Sequence, residues 1–313
     1  MEEVNRELSV VIPLLNEEPN LEELYRRLTD VLQRLGRSYE ILFVDDGSVD
    51  GSFEVLERLH HQDSHVCVIQ FRRNYGKAAA LAQGFKDAKG KIIITMDADL
   101  QDDPEEIPNL VAKIEEGYDL VSGWKYKRHD PISKTLPSWI FNRVTALLTG
   151  IRIHDFNCGL KAYRLEVTRN IKVYGELHRY LPVLAHWQGY RVGEIKVKHH
   201  PRLHGRTKYG ARRFLSGFLD LFTVILLTRY ISRPLHLFGA FGALVAIIGF
   251  GINCYLAYLR FRFGSIMGHY PLLGLGVLMM ILGVQLFSIG LLGELISSTQ
   301  LRDLEYSIKK RLS

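Results

Sequence analysis

The stretch Lys91-Ile-Ile-Ile-Thr-Met-Asp-Ala-Asp-Leu-Gln-Asp-Asp-Pro-Glu105 changes abruptly from apolar to acidic residues. Residues 92–96 predict a buried β-strand, because a short apolar run bounded by turn residues is typical of one. Asp97 and Asp99 then lie at the carboxyl end of that strand, where open α/β sheets bind ligands. These two carboxylates, with the amide oxygen of Gln101, suit Mg²⁺ or Mn²⁺, which usually keeps coordination positions for substrate phosphates. A solvated acidic loop before the next helix is the competing interpretation.

Similar apolar runs come earlier in the chain and predict further buried strands. They lie at residues 8–15, 40–47 and 66–71. Helical patterns of apolar residues follow them, at residues 16–36, 48–59 and 77–88. Strands and helices that alternate at this spacing predict βαβ crossovers and an α/β domain with a mostly parallel sheet.

Three of the predicted strands should bring their carboxyl ends to one edge of the sheet. The segments concerned are residues 13–17, 45–46 and 97–99. Carboxylates gathered there would repel one another unless a cation or hydrogen-bond donors compensate them, and a nucleoside diphosphate with its metal supplies both. A dinucleotide site and a P-loop are excluded, since neither Gly-x-Gly-x-x-Gly after the first strand nor Gly-x-x-x-x-Gly-Lys-Ser/Thr occurs.

Two apolar segments near the carboxyl end predict a transmembrane hairpin. No Asp, Glu, Lys or Arg occurs in residues 235–259 or 271–293, and each run exceeds the roughly 20 residues that cross a bilayer. A mean hydropathy of +0.00 conceals this division. Lysine and arginine are plentiful before the first segment and after the second, so the positive-inside rule places both termini in the cytoplasm. We therefore expect a multi-pass protein of the cell membrane.

The remaining composition excludes other classes. Residues 1–8 lack an apolar segment, so no cleaved signal peptide is expected. The three cysteines, Cys67, Cys158 and Cys254, lack metal-ligand spacing and are expected to be free thiols. The net charge of +6 is explained by attraction to anionic lipid and a pyrophosphate substrate, because no nucleic-acid-binding module is recognisable.

Five motifs together resemble those of the family-2 glycosyltransferases of the GT-A fold. They are Val11-Ile-Pro-Leu-Leu-Asn-Glu17, Val44-Asp-Asp-Gly-Ser48, Arg73-Asn-Tyr-Gly-Lys77, Met96-Asp-Ala-Asp-Leu-Gln-Asp-Asp-Pro-Glu105 and Asp155-Phe-Asn-Cys-Gly-Leu-Lys161. Within that family the chain is similar to the polyprenyl-phosphate sugar transferases, which include dolichyl-phosphate mannosyltransferase and the bactoprenyl-phosphate glucosyltransferases. The motifs cover residues 9 to about 210, and the two apolar segments match the bacterial membrane-anchored branch.

The resemblance implies inverting, metal-dependent transfer of a sugar from a nucleotide sugar to a polyprenyl phosphate, expected to be undecaprenyl phosphate, at the cytoplasmic membrane face. It assigns nucleotide-sugar contacts to Pro13, Leu15, Glu17, Val44, Asp46, Lys77, Ala98 and Lys125. It assigns the metal and the diphosphate to Asp97, Asp99 and Gln101. Leu15 and Lys125 stand where the mannosyltransferases have an aromatic residue and an arginine, which favours UDP and glucose over GDP and mannose.

Basic and apolar residues after the fifth predicted strand, at residues 119–124, suit the lipid acceptor. Lys125, Arg128 and Lys134 belong to a basic cluster, and we expect Arg128 and Lys134 to contact the lipid phosphate. Residues 136–148 form an almost uncharged segment that predicts either an interfacial helix or a core helix. A second amphipathic helix is predicted within residues 211–233.

The resemblance places Asp155 near the acceptor as a catalytic base. Because a phosphate monoester has its second pKa near 6, the acceptor needs little proton removal. Asp155 could therefore instead orient a basic side chain or the acceptor. We interpret the neighbouring His154 as a structural histidine. Residues 204–210 are either a flexible basic loop or a lid, in which Arg206 and Lys208 would offset the charge of the leaving group.

These patterns divide the chain into a glycosyltransferase domain (1–210), a juxtamembrane helix (211–233), two transmembrane helices (234–298) and a basic cytoplasmic tail (299–313). Gly276, Gly283 and Gly290 recur every seven residues in the second span. Small residues on one helix face allow close approach, either within the hairpin or between subunits, so a homo-oligomer is possible.

Three alternative functions stay open. The first is a GDP-mannose-dependent transferase of the same kind. The second is a processive polysaccharide synthase, which is disfavoured because the chain lacks a Gln-x-x-Arg-Trp motif and has only two predicted spans. The third is a lipid-phosphate-binding membrane scaffold without catalysis.

Overall fold

The structure is a computed structural model that describes residues 6–126, 132–171, 173, 175, 177–201, 223 and 234–300. The chain divides into two units, Met1–Val224 and Ile225–Ser313. The first unit carries the predicted catalytic motifs, and the second carries the two apolar segments.

A seven-stranded sheet runs through the first unit. Its strands are β1 (Leu8–Leu14), β2 (Tyr39–Asp45), β3 (Val66–Gln70), β4 (Ile92–Thr95), β5 (Leu120–Lys125), β6 (Lys161–Arg164) and β7 (Val192–Val197). Their order is β3-β2-β1-β4-β6-β5-β7. All pairings are parallel except the two that β6 makes with β4 and β5. The expected α/β fold with a mostly parallel sheet is confirmed.

Helices cover both faces of the sheet. They are α1 (Glu18–Leu35), α2 (Ser52–Gln62), α3 (Lys77–Asp87), α4 (Ile107–Glu115), α5 (Ile132–Thr149), α6 (Leu165–Asn170) and α7 (Leu181–Trp187). One hydrophobic cluster packs side chains of α1, α2 and α4 on the sheet, and a second packs those of α3, α6 and α7. In β1, Val10 faces the first cluster and Val11 the second. A central strand buried on both faces needs an uninterrupted apolar run, which explains its sequence.

Some predicted boundaries were wrong by one to four residues. Strand β1 ends at Leu14 rather than at residue 15, and β4 ends at Thr95 rather than at residue 96. The first difference has a local cause, because Asn16 adopts a left-handed conformation (φ 52°) that turns the chain out of the sheet. Helix α5 begins at residue 132 rather than at 136.

The second unit contains two long helices, α8 (Pro234–Phe263) and α9 (Tyr270–Gln300). Both are longer than the apolar segments predicted from charge, and both are long and apolar enough to cross a bilayer. Only 17% and 11% of their most apolar windows are buried within the protein, whereas the core helix of a soluble protein is mostly buried. Their length, apolar composition and exposure match those of a transmembrane hairpin.

Glycines bring α8 and α9 close together. A Cβ atom added to Gly242 would lie 2.6 Å from the carbonyl oxygen of Gly283, and one added to Gly249 would lie 2.6 Å from that of Gly276. Contacts this short require glycine, so Gly276 and Gly283 of the predicted seven-residue repeat serve packing within the hairpin.

Candidate active site

The loops that follow β1 and β2 are joined by hydrogen bonds at the carboxyl edge of the sheet. The amide of Asn16 donates to Ser48 Oγ (2.8 Å), and the amide of Val49 donates to Asn16 Oδ1 (2.8 Å). The amide of Gly51 donates to Glu18 Oε2 (2.9 Å). The strand ends predicted to converge therefore do so, because β2, β1 and β4 are parallel neighbours in the sheet.

The acids at the end of β2 are engaged with the backbone. Asp45 is fully buried and accepts hydrogen bonds from the amide of Ser48 (2.9 Å) and from Gln70 Nε2 (3.2 Å). Asp46 accepts from the amides of Tyr75 (2.7 Å) and Gly76 (2.9 Å). Asp46 thus shapes the loop that precedes α3, and its predicted contact with the nucleotide stays a prediction.

Asp97, beyond the end of β4, is paired with a lysine. Its carboxylate lies within hydrogen-bonding distance of Lys77 Nζ, at the first residue of α3, and its side chain is 31% exposed. Burial raises the pKa of Asp97, but the nearby Lys77 ammonium lowers it further, so the net pKa lies well below its usual range. A Cβ atom on Gly159 would lie 2.7 Å from this carboxylate, so the glycine makes room for it.

Asp99 and Gln101 follow on the same loop. Leu100 between them has a left-handed backbone (φ 60°) and a buried side chain, which is an unusual combination outside functional loops. Asp99 Oδ1 accepts from the amide of Gln101 (3.2 Å), and Gln101 Nε2 donates to the carbonyl of His200 (3.4 Å). This turn fixes Asp99 and Gln101 on the loop that contains Asp97.

The residues present fit a divalent cation bound together with a substrate. Among the described residues no group of three or more His, Cys, Asp or Glu side chains could hold a metal ion unaided. Asp97, Asp99 and Gln101 nevertheless offer carboxylate and amide oxygens, which Mg²⁺ and Mn²⁺ accept when phosphate oxygens and water complete the coordination. A pair of carboxylates that relies on the substrate for the remaining ligands is a common arrangement for Mg²⁺.

Sequence reasoning missed a buried carboxylate in this site, that of Asp102. It lies 3.9 Å from Lys125 Nζ and 3.9 Å from His199 Nδ1, and it accepts a hydrogen bond from the amide of Asp97 (3.4 Å). Burial raises the pKa of Asp102, and Lys125 offsets part of that rise. Burial lowers the pKa of Lys125, but Asp102 and other acids raise it more, so its pKa is raised overall. The only feature of the sequence that pointed to Asp102 as a site residue was its position in the acidic run after β4.

The antiparallel strand β6 brings Asp155 and the residues after it to the same edge. In the register of the sheet Thr95 pairs with Lys161, and Thr95 Oγ1 donates to the carbonyl of Gly159 (2.8 Å). Asp155 is only 1% exposed, and its Oδ1 accepts from the amide of Asn157 (3.0 Å). The buried Lys161 is a second site residue that the sequence reasoning did not single out, although it ends one of the motifs.

The other predicted nucleotide residues fall into two groups. Pro13, Val44 and Ala98 are buried, so their side chains pack beneath the surface of the site. Leu15 and Glu17 are partly exposed, and Glu17 Oε2 accepts from Asn20 Nδ2 (2.7 Å) at the start of α1. The predicted roles of Arg128, Arg206 and Lys208, and of the Lys134 side chain, concern groups outside the described part of the chain.

Helix α5 exposes several apolar side chains together with Arg143, and it buries polar ones. Trp139 and Leu147 are 63% and 82% exposed, whereas Asn142 and Thr145 are 9% and 0% exposed. A soluble protein normally arranges an amphipathic helix the other way round. Of the two interpretations of residues 136–148, the pattern favours the interfacial helix.

Comparison with known proteins agrees with this fold. The model of the family described as glycosyl transferase family 2 matches residues 9–172. Dodecaprenyl-phosphate galacturonate synthase of Rhizobium johnstonii is 36% identical over 302 residues, which cover 95% of this chain and 89% of the relative. Undecaprenyl-phosphate 4-deoxy-4-formamido-L-arabinose transferase of Pseudomonas aeruginosa is 40% identical over 289 residues, covering 92% and 84%.

A solved structure shows the same fold. Glucosyl-3-phosphoglycerate synthase of Mycobacterium tuberculosis, in complex with Mn²⁺ and UDP-glucose, superposes with a TM-score of 0.53 at 18% identity. The match covers 72% of this chain and 80% of that one. With the family model matching residues 9–172 and relatives aligned along nearly the whole chain, the protein belongs to glycosyl transferase family 2.

Proposed function

We propose that this protein transfers a sugar from a nucleotide sugar to a polyprenyl phosphate at the cytoplasmic face of the cell membrane. The observation that carries the proposal is the Asp97 carboxylate at the end of β4, paired with Lys77 and backed by Gly159. An acid and a cation side by side can bind a metal diphosphate, since the acid takes the cation and the lysine takes the phosphate oxygens. The two relatives, whose names specify sugars on polyprenyl phosphates, support the lipid acceptor.

The donor would lie along the edge formed by β2, β1 and β4. Asp97, Asp99 and Gln101 would hold Mg²⁺ or Mn²⁺ against the diphosphate, and that cation would neutralise charge on the departing nucleoside diphosphate. Lys77 would contribute a second positive charge from the start of α3. The likeness to a fold solved with Mn²⁺ and UDP-glucose is consistent with this placement.

The acceptor would approach from the side of β5, β6 and α5. An oxygen of the lipid phosphate would attack the anomeric carbon while the bond from that carbon to the diphosphate breaks, so the anomeric configuration would invert. Because the phosphate is already largely a dianion near neutral pH, the buried Asp155 would orient the acceptor side of the site rather than remove a proton. Arg206 and Lys208 keep their proposed role beside the leaving group.

The inverted amphipathic pattern of α5 supports a membrane-surface position for this side of the site. Exposed Trp139 and Leu147 would enter the headgroup region, where a lipid phosphate lies. The hairpin of α8 and α9 would anchor the chain, with both termini cytoplasmic as the flanking positive charges predict.

A donor panel tests the proposal directly. The full-length protein would receive undecaprenyl phosphate, Mg²⁺ or Mn²⁺, and UDP- and GDP-linked sugars. The mass of the glycolipid and, by NMR, the configuration of its anomeric carbon would be measured. We favour UDP-glucose, and the panel includes a uronic acid and an amino-pentose because relatives are named for such sugars. One product mass with an inverted anomeric carbon is expected. Lipid-phosphate binding without transfer from any donor would favour a scaffold, and a retained anomer would contradict the single displacement.

A further inference from the structure

A glutamate on the edge strand β7 holds the backbone next to Asp155. Glu194 Oε2 accepts a hydrogen bond from the amide of His154 (2.7 Å), and Glu194 Oε1 lies within hydrogen-bonding distance of His154 Nδ1. Both oxygens of one carboxylate therefore engage one residue, which fixes its position and the orientation of its ring. The Glu194 side chain is only 16% exposed.

The imidazole of His154 is also held by an aromatic stack. Its ring lies parallel to that of Trp124 on β5, with centroids 4.0 Å apart and planes inclined by 11°. Lys196 Nζ lies over the Trp124 ring at 5.5 Å from its centroid, and Trp124 and Lys196 are partners in the register of β5 and β7. His154 is thus held by two neighbouring strands, through hydrogen bonds to Glu194 of β7 and a ring stack with Trp124 of β5.

Strand β5 also holds the backbone of Asp155. Ser122, the register partner of Glu194, donates its hydroxyl to the carbonyl oxygen of Asp155 (3.3 Å). On the other side, the amide of Phe156 donates to Asn142 Oδ1 of α5 (3.4 Å). The segment from His154 to Phe156 is therefore fixed residue by residue, while Asp155 itself contacts the amide of Asn157.

We infer that Glu194 is a positioning residue for Asp155, acting through the backbone and ring of His154. This inference rests on the proposed function, because it assigns Asp155 to the acceptor side of the transfer reaction. Glu194 lies on the edge strand of the sheet, and among the residues that the structure describes its hydrogen bonds go to His154 and not to Asp97, Asp99 or Gln101. Its effect should consequently fall on the rate of transfer and leave the binding of the nucleotide sugar unchanged.

Two substitutions separate position from charge. Glu194→Gln keeps the length of the side chain, accepts from the His154 amide with Oε1 and can donate to Nδ1 of a neutral imidazole with Nε2. Glu194→Asp keeps the charge but shortens the side chain by about 1.5 Å, one carbon–carbon bond. Glu57→Gln, on the exposed surface of α2, is the matched control.

We expect Glu194→Asp to lower kcat by about tenfold to a hundredfold, because misplacement by about 1 Å can cost that much. KM for the nucleotide sugar should stay within about twofold of the unsubstituted value. Glu194→Gln and Glu57→Gln should keep kcat within about threefold. Hydrogen exchange at the amide of His154, followed by mass spectrometry, should be faster in Glu194→Asp and unchanged in Glu194→Gln.

Several results would overturn the inference. One is an active Glu194→Asp protein beside an inactive Glu194→Gln protein, which would show that charge matters rather than reach. Another is an equal loss of thermal stability and of donor binding in both variants, which would indicate a purely structural role. If the unsubstituted protein makes no glycolipid from any donor, the proposed function fails, and hydrogen exchange at residues 154–157 then decides by itself whether Glu194 holds this segment.

Discussion

The acids at the end of β2 and those near the end of β4 are balanced in different ways. Asp45 and Asp46 accept hydrogen bonds from backbone amides and an amide side chain. Asp97 and Asp102 instead lie beside the ammonium groups of Lys77 and Lys125. Both pairs of acids lie at the same edge of the sheet, but the first pair has neutral amide partners and the second has positively charged ones.

This difference suggests that the acids after β2 maintain the shape of the loops, whereas those after β4 include the acid that takes part in the reaction. A backbone amide cannot leave without unfolding its loop, so the β2 acids hold two loops in one arrangement. The partly exposed Lys77 side chain can rotate away, so Asp97 can exchange its ammonium partner for a metal ion, and the lysine can then take the phosphate oxygens, whereas Asp102 and Lys125 form a buried pair. We therefore expect substitution of Asp97 to affect transfer, and substitutions of Asp45 or of the buried Asp102–Lys125 pair to affect stability.

The largest effect should come from Asp97→Asn, which removes one negative charge and hardly changes the shape. We expect transfer to fall by about 10²- to 10³-fold, as it does when a single electrostatic contact to a transition state is lost. Thermal stability should fall modestly, because the variant loses the ion pair with Lys77 that lowers the pKa of Asp97, although both side chains are partly exposed to solvent.

Asp87→Asn at the exposed end of α3 is the control for that experiment, and it should transfer sugar normally. Steady-state rates over a range of Mn²⁺ concentrations provide the measurement. Transfer by Asp97→Asn at the unsubstituted rate would mean that this carboxylate does not hold the metal diphosphate.

The next effect should appear in stability, on removing the partner of a buried acid. Lys125→Met leaves Asp102, whose side chain is 2% exposed, without its ammonium neighbour. Breaking a buried pair in this way costs about 3 kcal/mol of unfolding free energy. Asp102→Asn in the same chain should recover most of the loss, which thermal unfolding of the single and double variants would measure.

The loss in Lys125→Met should also depend on pH. The pKa of Asp102 is already raised by burial and should rise further without Lys125. When the folded pKa of an acid exceeds its unfolded pKa, the unfolded chain releases the proton first, so the penalty grows as pH rises from the unfolded pKa towards the folded pKa and levels off above it. Lys125→Met should therefore come closest to the unsubstituted stability near pH 4. An equal deficit at every pH would rule out the unpaired carboxylate as its cause.

A smaller effect on transfer is expected from Gly159→Ala. The added Cβ would lie 2.7 Å from the Asp97 carboxylate, so the carboxylate has to shift. A shift of at least about half an ångström should reduce transfer by about tenfold and raise the metal concentration needed for half-maximal rate. Gly251→Ala in α8, where nothing lies within 4 Å, is the control. Unchanged metal dependence would show that the Asp97 carboxylate can move to accommodate the methyl group without affecting metal binding.

How far the site could be predicted follows from the same geometry. An apolar run predicts a buried strand, and the carboxyl ends of parallel strands lie at the same edge of a sheet. The meeting of residues 13–17, 45–46 and 97–99 was therefore predictable. Strand β6 was not predicted, because Lys-Ala-Tyr-Arg is too short and too polar for an apolar pattern. It is nevertheless this strand, antiparallel between β4 and β5, that carries Gly159 to Asp97.

The contacts of Asp102 and Glu194 could not be predicted from the sequence either. Asp102 occurs in a run of acids in which any member could be solvated, and only its burial beside Lys125 and His199 distinguishes it. Glu194 lies on β7, which pairs with β5 across a long stretch of chain. Contacts between residues so far apart depend on the order of strands in the sheet, and no local pattern in the chain specifies that order.

The smallest predicted effect tests the other side of the comparison. Asp45→Asn keeps one oxygen to accept from the amide of Ser48 but turns an NH₂ group toward Gln70 Nε2, so two donors would face each other. We expect a loss of about 1 kcal/mol in unfolding free energy, the contribution of one hydrogen bond. Because the residue is fully buried, kcat should stay within about threefold. If Asp45→Asn instead abolished transfer at normal thermal stability, the β2 acids would belong to the chemistry, and the division between shape-holding and exchangeable acids would be wrong.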